Sequence, residues 1–344
     1  MLNNKTILIT GATGSFGKQF IKTVLRKFNP KKIIVFSRDE LKQFEMKQEW
    51  PEHLNSKIRY FIGDVRDLSR LKTAMQNVDI VIHAAALKQV PATEYNPFEA
   101  VKTNIMGAQN VIEAALNNRV KKVVALSTDK AAAPVNLYGA TKLTSDKLFI
   151  AANNHRGWND IKFSVVRYGN VMGSRGSVIP FFLEEKKKGF LNITDKRMTR
   201  FNITLQEGVD FVLHCLKQMW GGELFVPKIP SYRVIDLAKA IMNAPKYKII
   251  GIRPGEKIHE EMITVSDSIN TVEFDKYFAI IPHSDYLSWN RKKFLTRSAK
   301  KPGKFCKENF SYSSGANKNF LSVKQIKKLI IQNIPSSKTL FYFI

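Results

Sequence analysis

The sequence predicts an α/β protein in which a doubly wound parallel sheet is followed by a smaller C-terminal lobe. In the first half of the chain, short β-branched runs alternate with amphipathic stretches, as is typical of parallel strands connected by helices. The runs are almost wholly apolar, which indicates strands that are covered on both faces. A length of 344 residues with 44% apolar content is enough to bury one large core or two unequal ones.

Six strands are predicted in the first 169 residues. Because crossovers between parallel strands are right-handed, the carboxyl ends of these strands meet at one edge of the sheet, where ligands of such sheets bind. The predicted strands are Ile7 to Thr10, Ile33 to Ser37, Ile58 to Gly63, Asp79 to Ala85, Lys122 to Thr128 and Ser164 to Tyr168.

The regular pattern ends after Gly169, where turn residues become frequent. We expect residues 1–169 to form the sheet domain and residues 170–280 to form mainly a substrate-binding lobe, with segments that return to the sheet. Residues 281–344 are expected to be a basic C-terminal extension. Apolar residues recur at helical spacing from Val323 to Ile334, which predicts one helix there.

Composition limits the classes of partner. Lys and Arg total 55 against 29 Asp and Glu, a formal net charge of +26, and residues 281–344 hold 13 of the basic residues and 2 of the acids. No aromatic-interleaved basic stripe accompanies this charge, so a lysine-rich solvated surface is favoured over nucleic acid binding, although a polyanion partner stays open. The two cysteines are far apart and lack metal-ligand spacing, so neither a disulfide nor a metal is expected. Without a long apolar stretch or a secretion signal, we expect no membrane contact and a cytoplasmic location.

A glycine-rich turn, Gly11-Ala-Thr-Gly14-Ser-Phe-Gly17, follows the first strand and opens a helix. In this context Gly11 permits a tight turn, Gly14 lets a pyrophosphate approach the backbone, and Gly17 allows the helix to pack closely on the sheet. The amino end of the helix supplies N–H donors to the phosphates. The turn predicts a Rossmann-type dinucleotide site in the 1–169 domain.

The end of the second strand indicates which dinucleotide is bound. It reads Ser37-Arg38-Asp39, with Lys42 one helical turn later. A guanidinium and an ammonium suit a 2′-phosphate, so NADP is favoured, while Asp39 keeps NAD open. Asp64 and Val65 follow the third strand and are expected to meet the adenine.

Chemistry is predicted just beyond the fifth strand. Tyr138 and Lys142 are four residues apart and share one helical face. A neighbouring ammonium, together with the nicotinamide charge, lowers the pKa of a tyrosine and makes the phenol a base for a substrate hydroxyl. Asp129 and Lys130 come directly after the strand end at Thr128 and add an acid and an amine to the same edge.

Together these motifs resemble the extended short-chain dehydrogenases/reductases that act on nucleotide sugars. Within that family they are similar to the soluble inverting UDP-N-acetylglucosamine 4,6-dehydratases of pseudaminic acid synthesis. The resemblance covers about residues 3 to 280 and is carried by Ser-Arg-Asp-Glu-Leu-Lys (37–42), Ile-Gly-Asp-Val-Arg-Asp (62–67), His-Ala-Ala-Ala-Leu-Lys (83–88), Ser-Thr-Asp-Lys (127–130), Arg-Tyr-Gly-Asn-Val (167–171), Gly-Ser-Arg-Gly-Ser-Val (173–178) and Arg-Pro-Gly-Glu-Lys (253–257).

The resemblance implies the roles of the site residues. The catalytic set is Asp129, Lys130, Tyr138 and Lys142. The residues expected to contact the cofactor are Gly11, Thr13, Gly14, Ser15, Phe16, Gly17, Ser37, Arg38, Lys42, Asp64, Val65, Ala84, Ala85, Ala86, Lys88, Thr128, Tyr138, Lys142 and Val171. Those expected to contact the UDP-sugar are Lys88, Asn170, Arg175, Val178, Arg200, Arg253 and Glu256.

The resemblance also implies a mechanism. Tyr138 takes the proton of the 4-hydroxyl while carbon 4 is oxidised by a tightly bound NADP that is recycled in each turnover. Lys130, as a neutral amine, then removes the proton on carbon 5, and Asp129, as a neutral acid, protonates the leaving 6-hydroxyl. Reprotonation from the opposite face inverts carbon 5 and gives a UDP-4-keto-6-deoxy-L-hexosamine, the first intermediate toward pseudaminic acid and glycosylated flagellin.

Two other functions share part of this pattern. A nucleotide-sugar epimerase has the same glycine turn and Tyr-Lys pair but has no use for Asp129 and Lys130. A non-catalytic NADP-binding scaffold would not need Tyr138 and Lys142. The long helices expected near Pro97 and Leu137 suit the dimer seam of this family, so a dimer or hexamer of identical chains is expected.

Overall fold

The apolar runs predicted as strands form the middle of one large sheet. The computed structural model describes residues 1–50, 56–157, 159–174, 176–282, 289–297 and 301–334. In chain order the strands are β1 (Thr6–Thr10), β2 (Lys32–Ser37), β3 (Ile58–Ile62), β4 (Ile80–His83), β5 (Lys122–Thr128), β6 (Lys162–Tyr168), β7 (Asn170–Val171), β8 (Leu191–Ile193), β9 (Thr199–Ile203), β10 (Leu224–Pro227), β11 (Ser231–Arg233), β12 (Tyr247–Ile249), β13 (Glu261–Ile263), β14 (Thr271–Glu273), β15 (Tyr277–Ile280), β16 (Lys304–Phe305) and β17 (Tyr312–Ser313).

Helices cover both faces of this sheet and build the second lobe. They are α1 (Ser15–Lys27), α2 (Glu40–Glu49), α3 (Leu68–Ala74), α4 (Val90–Tyr95), α5 (Pro97–Val101), α6 (Gly107–Asn117), α7 (Leu137–Ala151), α8 (Val178–Lys187), α9 (Leu205–Gln218), α10 (Val234–Ile241), α11 (Arg291–Leu295) and α12 (Val323–Asn333). A π-helical turn, Lys102–Met106, joins α5 to α6, and 3₁₀ turns cover Asp129–Ala131, Ala152–Asn154 and Val265–Asn270. Within the described ranges, every helix is too short or too polar to cross a membrane.

The large sheet has the predicted doubly wound parallel core. Across the described residues its strand order is β3-β2-β1-β4-β5-β6-β10-β15-β14-β16. The strands from β3 to β10 are parallel, and β15, β14 and β16 extend the sheet in antiparallel fashion. Strand β1 lies between β2 and β4, with Ile9 opposite both Val35 and Ile82, and it is buried along its whole length. This confirms the α/β class and the Rossmann-type sheet.

The strand boundaries differ from the prediction by one or two residues. Strand β5 has the predicted bounds, whereas β4 ends at His83 rather than Ala85. The reason lies in Thr10, whose hydroxyl accepts hydrogen bonds from the N–H groups of Ala84 (3.1 Å) and Ala85 (3.2 Å). The chain therefore leaves the ladder at the edge where ligands bind.

A second core lies on the carboxyl edge of the sheet. It is formed around the pair β8–β12, the three-stranded sheet β11-β9-β7, and helices α8, α10 and α12. The helix predicted over Val323 to Ile334 is observed as α12, and its Ile326 and Ile330 are buried against this core. The predicted basic extension therefore contributes to both parts of the fold: α12 packs on the second core, and β16 is an edge strand of the large sheet. The domain boundaries themselves stay a prediction.

Candidate active site

A cavity of about 1170 Å³ lies between the carboxyl edge of the large sheet and the second lobe. The sheet supplies the loops after β1, β2, β3, β4 and β5, and the second lobe supplies α8 and the loop before β13. Parallel strands whose carboxyl ends meet at one edge create such a crevice. Residues that are distant in sequence therefore face one another across it.

The glycine turn forms one end of the cavity. Gly11 has a φ of +66°, and a Cβ on it would lie 2.9 Å from the backbone nitrogen of Ala85. Gly14 caps helix α1, whose first turn contains no acidic residue. The backbone N–H groups of this helix end and the space left by the missing side chains fit a diphosphate. Gly17 does not line the cavity; a Cβ there would lie 2.3 Å from the Ala12 carbonyl oxygen, so this glycine acts by close packing.

Basic side chains surround the end of β2. The Asp39 carboxylate caps helix α2 by accepting the Lys42 N–H at 2.9 Å, and it also forms an ion pair with the Lys42 ammonium. Arg38 lies 3.5 Å from Asp64, and its side chain is about half exposed to the cavity mouth. Burial raises the pKa of Asp64, but the Arg66 hydrogen bonds and the two guanidinium charges outweigh it and hold that pKa below its usual value. Both carboxylates here are therefore already paired with cations.

A short 3₁₀ turn and the start of α7 carry the catalytic candidates. Asn136 caps α7 by accepting the Gly139 N–H at 2.8 Å, and its own amide donates to the Gly255 carbonyl at 2.7 Å. A Cβ on Gly139 would lie 2.2 Å from the Lys130 carbonyl oxygen. The absence of a side chain at residue 139 lets the Asp129–Ala131 turn pack directly on α7. This packing brings the acid, the amine and the phenol into one wall of the cavity.

The buried Asp129 forms an ion pair with Lys130, whose side chain is 24% exposed. Asp129 is 1% exposed, and its Oδ1 accepts hydrogen bonds from the Lys130 ammonium and from the Thr128 hydroxyl, both at 3.0 Å. Its Oδ2 is buried with no hydrogen-bond partner among the described residues. Burial raises the pKa of Asp129, against the opposing charge of Lys130. Burial therefore makes the Asp129 carboxylate a stronger proton acceptor than an ordinary aspartate.

The surroundings of Lys130 favour its ammonium form. Carboxylates lie on both sides of it, Asp129 at 3.0 Å and Glu260 at 3.2 Å, while the neutral amine expected from the sequence is the form that acts in the predicted proton transfer. Burial lowers the pKa of Lys130, yet the charges of Asp129 and Glu260 outweigh burial and raise that pKa above its ordinary value. Lys130 is therefore an ammonium here, and any neutral amine has to arise by transfer of its proton.

Glu260 is a site residue that the sequence analysis missed. It lines the cavity, is 3% exposed, and lies 3.7 Å from the Arg200 guanidinium in addition to its contact with Lys130. It follows the Arg-Pro-Gly-Glu-Lys motif by only a few residues. Its proximity to that motif was the available signal, but no local pattern indicated contact with residue 130.

Tyr138 and Lys142 are both buried on the same face of α7. Burial raises the pKa of Tyr138 to about 12, and the opposing cation is Lys130, with a hydrogen bond to Thr128 acting in the same direction. This corrects the expectation that Lys142 lowers the pKa of Tyr138. Burial lowers the pKa of Lys142, and the charge of Asp146 opposes that effect.

Polar networks hold these elements in place. Asp146 accepts hydrogen bonds from the Ser127 hydroxyl at 2.7 Å and the Arg167 guanidinium at 3.1 Å beneath α7. Asn104, in the π-helical turn, accepts the Leu87 N–H at 2.8 Å and donates to the Leu87 carbonyl at 2.9 Å. No role was predicted from the sequence for Asp146, Arg167 or Asn104.

Most of the predicted binding residues line this cavity. For the cofactor these are Thr13, Ser15, Phe16, Ser37, Val65, Ala84, Ala85, Ala86, Lys88, Thr128 and Val171, together with Gly11, Gly14, Arg38, Lys42, Asp64, Tyr138 and Lys142 described above, whereas the predicted contact by Gly17 is not observed. For the substrate they are Lys88, Asn170, Val178, Arg200, Arg253 and Glu256, while Arg175 lies outside the described residues. The roles assigned to them stay predictions. Nowhere in the described ranges do three or more His, Cys, Asp or Glu side chains cluster as metal ligands would.

Two of the predicted substrate residues have particular surroundings. The Arg200 guanidinium donates to the backbone oxygens of Thr199 (2.7 Å) and Ile258 (3.1 Å), so its orientation is fixed by the protein. The Asn170 Oδ1 is buried and has no hydrogen-bond partner among the described residues. A buried acceptor of this kind is satisfied when a ligand donor reaches it.

Comparisons with known proteins agree on a family. A family model described as a polysaccharide biosynthesis protein matches residues 7–282. The UDP-N-acetylglucosamine 4,6-dehydratase (inverting) of Campylobacter jejuni is 55% identical over 332 residues, which cover 96% of this chain and 98% of that protein. A UDP-glucose 4-epimerase of Rickettsia prowazekii is 40% identical over 339 residues, covering 96% of each chain. Among solved structures, the X-ray structure of Pen from Bacillus thuringiensis matches with a TM-score of 0.85 at 39% identity, covering 96% of this chain and 98% of that one.

Proposed function

The chain belongs to the family of polysaccharide biosynthesis proteins, and from this membership and the cavity we propose that it is a hydro-lyase, an inverting UDP-N-acetylglucosamine 4,6-dehydratase. One observation carries the proposal: the buried Asp129 carboxyl and the Lys130 amine, whose side chain is 24% exposed, are 3.0 Å apart and line the same cavity as Tyr138. Loss of water from a sugar needs an acid for the leaving hydroxyl and a base for the neighbouring carbon. These two side chains supply both.

The cofactor that fits the glycine turn is NADP. The N–H groups at the start of α1 would hold its diphosphate, and Arg38 and Lys42 would hold its 2′-phosphate. Asp39 is engaged as the cap of α2 and as the partner of Lys42, so its carboxylate is poorly placed to select the ribose hydroxyls of NAD. The bound nicotinamide supplies reversible oxidation of the sugar.

The protein side chains perform the proton transfers. Tyr138, in its phenolate form, accepts the proton of the 4-hydroxyl as carbon 4 becomes a ketone, which acidifies the proton on carbon 5. Lys130 removes that proton, and Asp129 gives its own proton to the 6-hydroxyl, so that water leaves and an enone forms. The hydride removed from carbon 4 would return to carbon 6 of the enone, and a proton delivered to the opposite face of carbon 5 would complete the 6-deoxy sugar and invert that centre.

The Asp129–Lys130 pair reaches its working form without a proton from solvent. Moving one proton from the Lys130 ammonium to Asp129 Oδ1, across 3.0 Å, gives a neutral amine and a neutral acid. The charge on the pair is zero before and after the transfer. Because burial penalises both charged groups, a desolvated substrate in the cavity favours this transfer.

Further features of the proposal come from the resemblance. The product would be a UDP-4-keto-6-deoxy-L-hexosamine that enters pseudaminic acid synthesis, and the protein would act in the cytoplasm as an assembly of identical chains. A nucleotide-sugar epimerase is the second candidate, favoured by the 40% identity to the Rickettsia prowazekii relative. An epimerase reaction leaves Asp129 and Lys130 without a task.

Mass spectrometry of a reaction with UDP-N-acetylglucosamine tests the proposal. We expect loss of one water from the nucleotide sugar, and NMR of the product formed in deuterated water should show an inverted, deuterated carbon 5. An unchanged mass with altered stereochemistry would establish the epimerase instead. No change at all would favour the non-catalytic scaffold.

Lys130→Ala tests whether the Asp129–Lys130 pair is needed for the loss of water. It should lower the rate of water loss by about 10²- to 10⁴-fold, as expected for loss of an acid–base group, while NADP, measured by fluorescence titration, remains bound. Lys72→Ala, which removes a surface lysine paired with Glu113, is the control and should retain the wild-type rate. Full activity of Lys130→Ala would remove Lys130 from the mechanism.

A further inference from the structure

Glu260, from the second lobe, lines the cavity beside Asp129 and Lys130, and backbone hydrogen bonds hold it there. Its N–H donates to the Ser314 hydroxyl at 2.9 Å, and its carbonyl accepts the Ser314 N–H at 2.8 Å. These bonds do not involve the side chain. The backbone position of residue 260 is therefore set independently of what its carboxylate does.

The side chain of Glu260 closes a compact group of four charges. Its Oε1 lies 3.2 Å from the Lys130 ammonium and 3.7 Å from the Arg200 Nε, while Asp129 contacts Lys130 from the other side at 3.0 Å. Two carboxylates and two cations thus face one another, and the charge of Lys257, from the same loop, also lowers the pKa of Glu260. The Glu260 Oε2 and the Asp129 Oδ2 are buried and have no hydrogen-bond partner among the described residues.

We infer that Glu260 is a positioning residue for the dehydration, which holds the Lys130 amine between two carboxylates and governs when the Asp129–Lys130 pair gains or loses its proton. This inference rests on the proposed function. Glu260 itself need not touch the sugar. It acts through Lys130 in two ways. Its contact holds the amine in place, and its negative charge raises the pKa of both Asp129 and Lys130.

The proton balance shows what the charge does. The Asp129–Lys130 pair carries one transferable proton. Before water leaves, this proton is on Asp129. After Asp129 has given it to the 6-hydroxyl, the proton removed from carbon 5 is on Lys130. Transfer of that proton back to Asp129 Oδ1 restores the pair, and the electron pair of the broken C5–H bond has by then entered the enone. Glu260 keeps its negative charge throughout, so it raises the proton affinity of both members of the pair.

The sign of the effect follows directly. A nearby negative charge raises the pKa of Asp129 and also the pKa of Lys130, as the causes of both shifts show. Glu260→Gln removes this charge with little change in shape. Both ionisations of the pair should then occur at lower pH, and the bell-shaped pH dependence of kcat should move toward acid by roughly one unit or more.

A series of three variants separates this role from a structural one. Glu260→Gln should move the profile to lower pH, and Glu260→Asp, which restores the charge on a shorter side chain, should return it toward the wild-type position at a reduced kcat. Glu261→Gln removes the carboxyl group of the next residue. Glu261 pairs with β17 through its backbone and does not line the cavity. That control should leave the profile unmoved.

The outcomes are distinct. A Glu260→Gln profile that falls in height without moving would show a structural role only and overturn the inference, as would an equal movement in Glu261→Gln. If the wild-type protein releases no water, the proposed function fails, and the inference is then tested on the resting protein by ¹³C NMR titration of Lys130. A lower titration point in Glu260→Gln supports it, and an identical one overturns it.

Discussion

His83 ends β4 directly beneath the cavity and illustrates what burial does to a single ionisable residue. Its Nδ1 lies 2.9 Å from the Thr10 hydroxyl, and its Nε2 has no hydrogen-bond partner among the described residues. Burial lowers the pKa of His83 to about 3, and the charge of Lys142 acts in the same direction. The folded protein therefore holds this imidazole neutral.

This gives a prediction for stability against pH. The unfolded chain binds a proton at His83 below a pKa of about 6.5, whereas the folded chain does so only near 3. The contribution is complete above the unfolded value and is lost as pH falls, by about 2 kcal/mol at pH 5. In His83→Asn, the loss of unfolding free energy between pH 7 and pH 5, measured by urea unfolding, should be smaller than in the wild type by about that amount.

The matched control for this prediction is His155→Asn, at an exposed histidine. Its pH dependence between pH 7 and pH 5 should equal that of the wild type, since this side chain is exposed to solvent and is not part of the core. A His83→Asn slope equal to the wild-type slope would show that His83 is protonated in the folded state.

Individual site residues differed in how far the sequence could predict them. Asp129, Lys130, Tyr138 and Lys142 come from one stretch of sixteen residues, 127–142, where strand end and helix start bring them together locally. Glu260 meets Lys130 only because the second lobe folds back on the sheet. No pattern within a local stretch of sequence encodes that contact, and so the second carboxylate beside Lys130 was not predicted.

At the scale of elements, six of the seven strands of the parallel core were predicted because each contains a largely apolar run. The seventh, β10, was not predicted. Nor were the short strands of the second lobe, since two or three residues contain too little periodicity to be recognised. Pairs such as β14–β16 and β13–β17 depend on partners far away in the chain. Their register is decided by tertiary packing rather than by local preference.

The packing of α1 on the sheet gives a prediction at this scale. A Cβ on Gly17 would lie 2.3 Å from the Ala12 carbonyl oxygen, and the backbone there has little room to move. Gly17→Ala should therefore lower the free energy of unfolding by about 1–3 kcal/mol, as overpacking does, and should weaken NADP binding by displacing the helix start. Urea unfolding and a fluorescence titration with NADP measure the two effects.

Gly208 provides the control, because it also lies in a helix, α9, and nothing lies within 4 Å of the position its Cβ would take. Gly208→Ala should raise the free energy of unfolding by roughly 0.4–1 kcal/mol, since alanine favours the helix and restricts the unfolded chain. Opposite signs for the same substitution would establish that close packing, rather than helix propensity, requires glycine at residue 17. Equal signs would contradict it.

For the molecule as a whole, the excess of positive charge is partly structural. Arg297, from the basic C-terminal segment, lies 3.7 Å from the ring centroid of Phe294 and 4.8 Å from that of Phe274, and it donates to the Tyr277 hydroxyl at 2.9 Å. This guanidinium stabilises the antiparallel edge of the large sheet by cation–π contacts. At least this basic residue serves the fold instead of a polyanion partner.

Exposed apolar side chains lie before and along the helices near Pro97 and Leu137, which were predicted to form a dimer seam. Tyr95, Phe98 and Met106 are 87%, 61% and 51% exposed, and Val135, just before α7, is 55% exposed. Large apolar side chains concentrated in this way mark surfaces that are covered in an assembly. We therefore predict that the protein is at least a dimer and that these helices form its interface.

Phe98→Glu tests this assembly, because a carboxylate buried at a central contact is strongly unfavourable. Analytical ultracentrifugation should show a dimer or larger for the wild type and a dissociation constant raised by at least about thirtyfold for Phe98→Glu, the effect of losing one central anchor. Ile269→Glu, at an equally exposed residue on the 3₁₀ turn Val265–Asn270, should leave the assembly intact. A monomeric wild type, or equal dissociation in both variants, would exclude these helices as the specific interface.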